Sequence, residues 1–81
     1  MKKKVNEKSS SHILPQKLKN IAERRLNRNP RDAAAYGLLG AVAKEEGSVR
    51  RAVAYYENAL EGDGDNDEYL SALFELRLEL Q

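Results

Sequence analysis

Three aspartates alternate along the short segment GDGDND, and alternating carboxylates suggest a calcium-binding loop. Asp63, Asp65 and Asp67 have the spacing that such a loop requires. The loop also needs a glycine at its sixth place and a bidentate glutamate at its twelfth, and those places hold Glu68 and Phe74. We therefore interpret the segment as a break between helices with N-capping side chains. We expect no bound metal and no cofactor.

Residues that could carry out catalysis are scarce. The chain has no cysteine, and its one histidine, His12, is interpreted as a solvated side chain. There is no glycine-rich phosphate loop. Glu45, Glu46 and Glu57 are expected on exposed helix surfaces, whereas general acid–base catalysis needs a shielded pair. We predict that the protein is not an enzyme.

Charge is divided unevenly along the chain. Residues 1–31 hold ten basic and two acidic side chains, whereas residues 32–81 hold four basic and eleven acidic ones. This asymmetry indicates an association between copies or with an oppositely charged partner. A basic first helix could also contact nucleic-acid phosphates through Lys17, Lys19, Arg24, Arg25 and Arg28. That region has no aromatic side chain on which bases could stack, so we favour a solvated face and expect no nucleic acid.

Membrane-spanning and secretory segments are not predicted. The longest apolar run, residues 33–43, has 11 residues, whereas a bilayer-spanning helix needs about 20. The start, MKKKVNEKSSSH, is basic but has no apolar stretch behind it. We expect a soluble, cytoplasmic protein with no membrane partner.

The sequence predicts an all-α protein, because no segment alternates with the period of a strand. Residues 1–13 are predicted to be a disordered basic tail, and residues 14–81 a helical domain. The first helix is predicted from Pro15, which suits a first turn. The second covers residues 33–46 and the third residues 49–61, with Asp32 and Ser48 as N-caps and Gly47 between them. A fourth is predicted over residues 68–80.

An internal repeat organises these helices. At a shift of 34 residues, Leu39 falls on Leu73, Leu18 falls on Ala52, and the helix breaks coincide. Two antiparallel helices per 34 residues is the period of one class of repeat protein in particular.

Residues 33–66 resemble one tetratricopeptide repeat, and the resemblance extends to flanking half-repeats over about residues 14–81. The positions that match the family pattern are Tyr36, Leu39, Gly40, Gly47, Ala52, Tyr56 and Ala59. Ala43 and Gly64 depart from it, because the family has tyrosine and proline there. The resemblance implies a short antiparallel helical-hairpin array of four helices, an α-solenoid. It also implies that Gly40 and Ala52 mark a close approach of two helices.

The resemblance further implies a concave groove formed by the first helices of successive repeats. Its predicted lining is Ala34, Gly37, Ala41, Lys44, Ser71 and Glu75. Gly37 would either leave room for a ligand backbone or be a tolerated flaw. Because small residues and Glu75 replace the family's lysine and asparagine clamp for carboxylates, a basic or apolar segment is the expected ligand. The alternative is that this short groove binds nothing by itself.

The fourth helix is apolar around about two-thirds of its circumference, although a helix with one neighbour needs a stripe of only about 100° or somewhat more. We predict that this helix forms a partner or oligomer interface through Tyr69, Leu70, Phe74, Leu76 and Leu78. The simplest assembly is a symmetric homodimer, and docking of the basic first helix on the acidic end is the alternative.

The predicted function is protein–protein interaction, as an adaptor or an oligomerisation module. Two alternatives remain: a nucleic-acid-associated protein that uses residues 2–31, and a designed or excised repeat scaffold without a ligand. Binding that weakens steeply with added salt would favour the first of these.

Overall fold

The computed structural model describes the backbone of residues 2–81 and the side chains of residues 15–81. Four helices make up the described chain: α1 (Lys2–Arg28), α2 (Ala33–Glu45), α3 (Val49–Gly62) and α4 (Asp67–Glu79). Residues 2–81 contain no strand, so the predicted all-α class is confirmed. Each helix packs against the next one along the chain.

The start of the first helix differs from the prediction. α1 begins at Lys2, so Pro15 lies inside the helix and not in its first turn. A proline at an interior position removes one backbone hydrogen bond but does not always end a helix, which is why Pro15 alone did not locate the boundary. The predicted tail, residues 1–13, falls on residues whose side chains lie outside the described part of the chain, and it stays a prediction.

Asp32 and Gly47 behave at the helix breaks as their residue types predict, whereas Ser48 does not. The Asp32 carboxylate accepts a hydrogen bond of 3.1 Å from the Ala35 N–H, which caps α2 as predicted. Gly47 has a φ of +81°, the left-handed backbone that glycine adopts without strain. Ser48 precedes α3 but makes no side-chain capping bond. The α4 cap is Asn66, whose side-chain oxygen accepts from the Tyr69 N–H at 3.0 Å.

The core consists of two clusters that are related by the 34-residue shift. One joins Ala22 of α1 to Ala35 and Leu39 of α2. The other contains Tyr56 of α3 and Leu73 of α4, which lie 34 positions after Ala22 and Leu39. The repeat seen in the sequence is therefore also a repeat of packing contacts.

Candidate functional site

The outward face of α4 is a stripe of three exposed apolar side chains. Leu70, Phe74 and Leu78 are 45%, 66% and 51% exposed, and their spacing of four residues aligns them along one side of the helix. The opposite side of α4 is buried through Leu73 and Leu76. The stripe is therefore not needed for the contact between α4 and α3. We call Leu70, Phe74 and Leu78 the α4 stripe.

Two residues predicted for this interface lie elsewhere. Leu76 is 1% exposed and belongs to the core, so it cannot contribute to an exposed surface of the chain. Tyr69 is half-buried, and its ring packs against that of Tyr56 with centroids 5.8 Å apart. Both lie on the side of α4 that faces α3, because a 100° step per residue places them away from Phe74. Leu80, beyond the helix, is 42% exposed.

Ion pairs tie α4 to the rest of the domain near the stripe. Arg77, which interrupts the apolar residues, donates a hydrogen bond to the carboxylate of Glu57 in α3. The Lys44 ammonium in α2 lies 3.9 Å from the Glu75 carboxylate. All four side chains are well exposed, so each pair contributes little to stability.

Part of the predicted concave lining does face an open groove of about 340 Å³. Ala34, Gly37 and Ala41 line it together with Tyr69 and Arg25. The groove is open between α2 and α4, and its chemistry is mixed because it also borders Glu68. Lys44 and Glu75, the two charged members of the predicted lining, pair with each other, and Ser71 is exposed on α4.

The space at Gly37 is occupied by the protein itself. A Cβ atom at this position would lie 2.5 Å from the Tyr69 hydroxyl oxygen. The end of the Tyr69 side chain therefore fills the space beside Gly37, and the predicted room for a ligand backbone is not present there.

The signature positions of the middle repeat form the contact between α2 and α3. Leu39, Gly40, Ala52, Tyr56 and Ala59 are all buried. A Cβ at Gly40 would meet the Tyr56 ring at 2.9 Å, so the predicted close approach is confirmed there. Tyr36 is half-buried, and its hydroxyl donates to the Pro30 carbonyl at 3.2 Å.

The basic residues of α1 are partly engaged within the domain. The Lys19 ammonium lies 2.9 Å from the Glu46 carboxylate. Arg25 donates to both carboxylate oxygens of Asp32, from Nε at 2.8 Å and from Nη2 at 3.2 Å. The hydrogen bond from Arg25 is the main cause of the lowered pKa of the Asp32 carboxyl; burial opposes it, and the hydrogen bond from the Ala35 N–H lowers the pKa further.

Three exposed basic residues of α1 surround an exposed apolar side chain that was not among the predicted site residues. Ile21 is 44% exposed. It lies on the same side of the helix as Lys17, four residues before it, and Arg24 and Arg28, three and seven residues after it. All three basic residues are exposed. The signal was available in the sequence, because Ile21 precedes the core residue Ala22 and so points to a different side of the helix. We call Lys17, Ile21, Arg24 and Arg28 the α1 face.

The tyrosines at the centre of the domain are held in their neutral form. Burial raises the pKa of the Tyr56 hydroxyl, and the nearby carboxylate of Glu68 raises it further. Burial is also the main cause of the raised pKa of Tyr69. Both rings therefore act as packing groups between α2, α3 and α4 at neutral pH.

The described part of the chain offers neither a metal-binding cluster nor a membrane-spanning helix. The described residues contain no cluster of three or more histidine, cysteine, aspartate or glutamate side chains that could hold a metal ion. Among the described helices, none has the length and apolar character needed to cross a bilayer. No protein-family model matches the chain.

Proposed function

We propose that the protein is a protein–protein interaction module that self-associates through the α4 stripe. The observation that carries this proposal is the exposure of Phe74, 66% of whose surface faces solvent between Leu70 and Leu78. A contiguous apolar surface on a small chain is typical of an interaction site. We expect the module to act in the cytoplasm.

The energy available from covering the stripe supports the proposal. Aromatic side chains bury roughly 150–250 Å² each, so the 66% exposure of Phe74 leaves on the order of 130 Å² to be covered. At roughly 25 cal/mol per Å², that area alone contributes about 3 kcal/mol as an upper value. A stable complex needs about 800 Å² per partner, so the contact must extend beyond Phe74 along the whole helix. The partner is therefore best matched by another helix.

The architecture that we propose for the module is the tetratricopeptide-like hairpin array implied by the signature residues. The contact of Gly40 with Tyr56 and the left-handed turn at Gly47 support this interpretation. The repetition of the Ala22–Leu39 packing by Tyr56 and Leu73 supports it as well.

Catalysis and nucleic-acid binding are less well supported than protein binding. Glu45, Glu46 and Glu57 are exposed, whereas general acid–base catalysis needs a shielded pair of such groups. Two of the five basic residues proposed for phosphate contacts, Lys19 and Arg25, already pair with carboxylates of the chain.

The proposal is tested by measuring the solution mass of the full chain and of Phe74→Glu with light scattering after size-exclusion chromatography. We expect the wild type to exceed the 9.1 kDa chain mass at micromolar concentration and Phe74→Glu to be monomeric. Ala54→Glu is a matched control, because Ala54 is exposed on α3 and the variant adds the same charge away from the stripe. A wild type that stays monomeric at every concentration would refute self-association.

A further inference from the structure

The two ends of the helical array expose different helix surfaces. α2 packs against both α1 and α3, and it meets α3 at Gly40, where the Tyr56 ring fits. The residues 34 positions after Tyr36 and Gly40 are Leu70 and Phe74, two members of the α4 stripe. The stripe thus occupies the place at which a following helix packs in the preceding unit, and no fifth helix follows α4 within residues 2–81.

At the other end, α1 is the counterpart of α3. Ala22 lies 34 positions before Tyr56, and each packs against the helix that follows it in the chain. α3 uses a second side to contact the helix before it, whereas the described part of α1 has no preceding helix. Ile21, 44% exposed, lies beside this uncovered side. Within the described residues, α1 therefore corresponds to the second helix of a hairpin and α4 to the first.

Charge makes the two ends complementary. Residues 15–31 carry six basic side chains and one acidic one, whereas residues 61–81 carry seven acidic and one basic. A symmetric pairing of two α4 helices would bring two acidic ends together, which is unfavourable. Pairing of α1 with α4 brings opposite charges together and places apolar Ile21 against the stripe.

The first helix is long enough to cover the stripe. α4 has 13 residues, which is about 20 Å of helix. α1 has 27 residues, which is about 40 Å at the same rise per residue. A helix lying along the stripe could therefore contact Leu70, Phe74 and Leu78 together.

We propose that the α4 stripe of one copy binds the α1 face of a second copy, so that the chains assemble head to tail. This inference rests on the proposed function, because it names the partner of the same surface. A head-to-tail contact uses two different surfaces of each chain, so it leaves one of each free and continues into longer assemblies unless the rotation closes a ring. The assembly regenerates, between chains, the hairpin that α2 and α3 form within one chain.

The test uses two full-length variants that each disable one end. Phe74→Glu removes the stripe and leaves the α1 face, whereas Ile21→Glu removes the α1 face and leaves the stripe. Both residues are exposed, so both variants are expected to fold, which circular dichroism checks. Each variant alone should have the 9.1 kDa mass of one chain. Their equimolar mixture should form a one-to-one complex of twice that mass and grow no further.

Three other outcomes would overturn the inference, and they differ in what they mean for the proposed function. If Ile21→Glu alone still dimerises and Phe74→Glu does not, the dimer is symmetric through α4, and self-association stands. If the wild type is monomeric, both proposals fail. If the wild type associates and neither variant alters its mass, the interface lies elsewhere and both fail as well.

Salt provides an independent readout of the same question. Raising the ionic strength from about 0.05 M to 0.5 M shortens the Debye length severalfold. The wild-type mass should then fall at fixed concentration, because opposite charges attract across a head-to-tail contact. A mass that rises with salt would contradict the inference, since screening strengthens a contact between two acidic ends.

Discussion

Gly40 provides the sharpest test of how α2 and α3 fit together. In Gly40→Ala, the new Cβ would lie 2.9 Å from two ring atoms of Tyr56. Tyr56 is only 6% exposed, and its ring is flanked by Tyr69, so it cannot move aside freely. The substitution therefore forces either the ring or the two helices apart.

Two opposing effects set the change in the free energy of unfolding that Gly40→Ala causes. Replacing glycine by alanine inside a helix stabilises it by roughly 1 kcal/mol, whereas inserting a methyl group into a packed core costs about 1–3 kcal/mol. The net expectation is a loss of about 1 kcal/mol in the free energy of unfolding. With a urea m-value of about 1 kcal/mol per M for a small domain, the midpoint should fall by about 1 M.

The measurement is urea unfolding followed by circular dichroism, in the Phe74→Glu background so that association does not contribute. Gly37→Ala is the matched control, because it has the same propensity gain in the same helix. Its Cβ meets the hydroxyl end of Tyr69, a half-buried side chain beside the open groove that can swing outward. The loss should therefore be smaller than for Gly40→Ala. A Gly40→Ala variant that is more stable than its parent would refute the packing argument.

Three further predictions concern the α2 cap, its pH dependence and the rotation of α4. Asp32→Ala should lower the urea midpoint more than Asp32→Asn, because asparagine keeps the capping oxygen and both lose the ion pair with Arg25; equal midpoints would contradict the role of the cap. The pKa of Asp32 is lowered from 3.8. Its contribution to the free energy of unfolding is therefore full above pH 3.8 and is lost as the pH falls through the folded-state pKa. Asp32→Asn should accordingly reduce the loss of stability measured between pH 5 and pH 2. In the same urea assay, Leu76→Ala should lower the free energy of unfolding by about 2–5 kcal/mol, and Leu78→Ala by less than about 1 kcal/mol. Similar losses for the two variants would show that α4 is rotated differently.

The helices and their order could be predicted from the sequence because local chemistry decides them. Asp32 is a capping residue and does cap α2. Gly47 adopts the left-handed turn that few other residues accept. The 34-residue shift also predicted that Leu39 and Leu73 are equivalent, and both are buried in corresponding clusters. In each case the signal lies within a few residues or recurs along the chain.

The exposed residues of α4 were predicted less well because exposure depends on how one helix is rotated against another. With apolar residues around two-thirds of α4, hydrophobicity alone does not say which side is buried. Leu76 and Leu78 look equivalent in the sequence, yet one is 1% and the other 51% exposed. The missing information is the contact of Tyr69 with Gly37 and Tyr56, which selects the rotation and joins residues more than ten positions apart.

The side of α4 that approaches Gly37 lies away from the stripe, which links packing to the proposed assembly. The Tyr69 hydroxyl lies where a Cβ of residue 37 would be, and Leu73 and Leu76 on the same side of α4 are buried. Because a helix has 3.6 residues per turn, the α4 stripe then faces away from α3. A large side chain at position 37 would displace the Tyr69 ring from this contact. The packing of Tyr69 against Gly37 and Tyr56 therefore accompanies the exposure of the stripe that we propose receives α1 of the next chain.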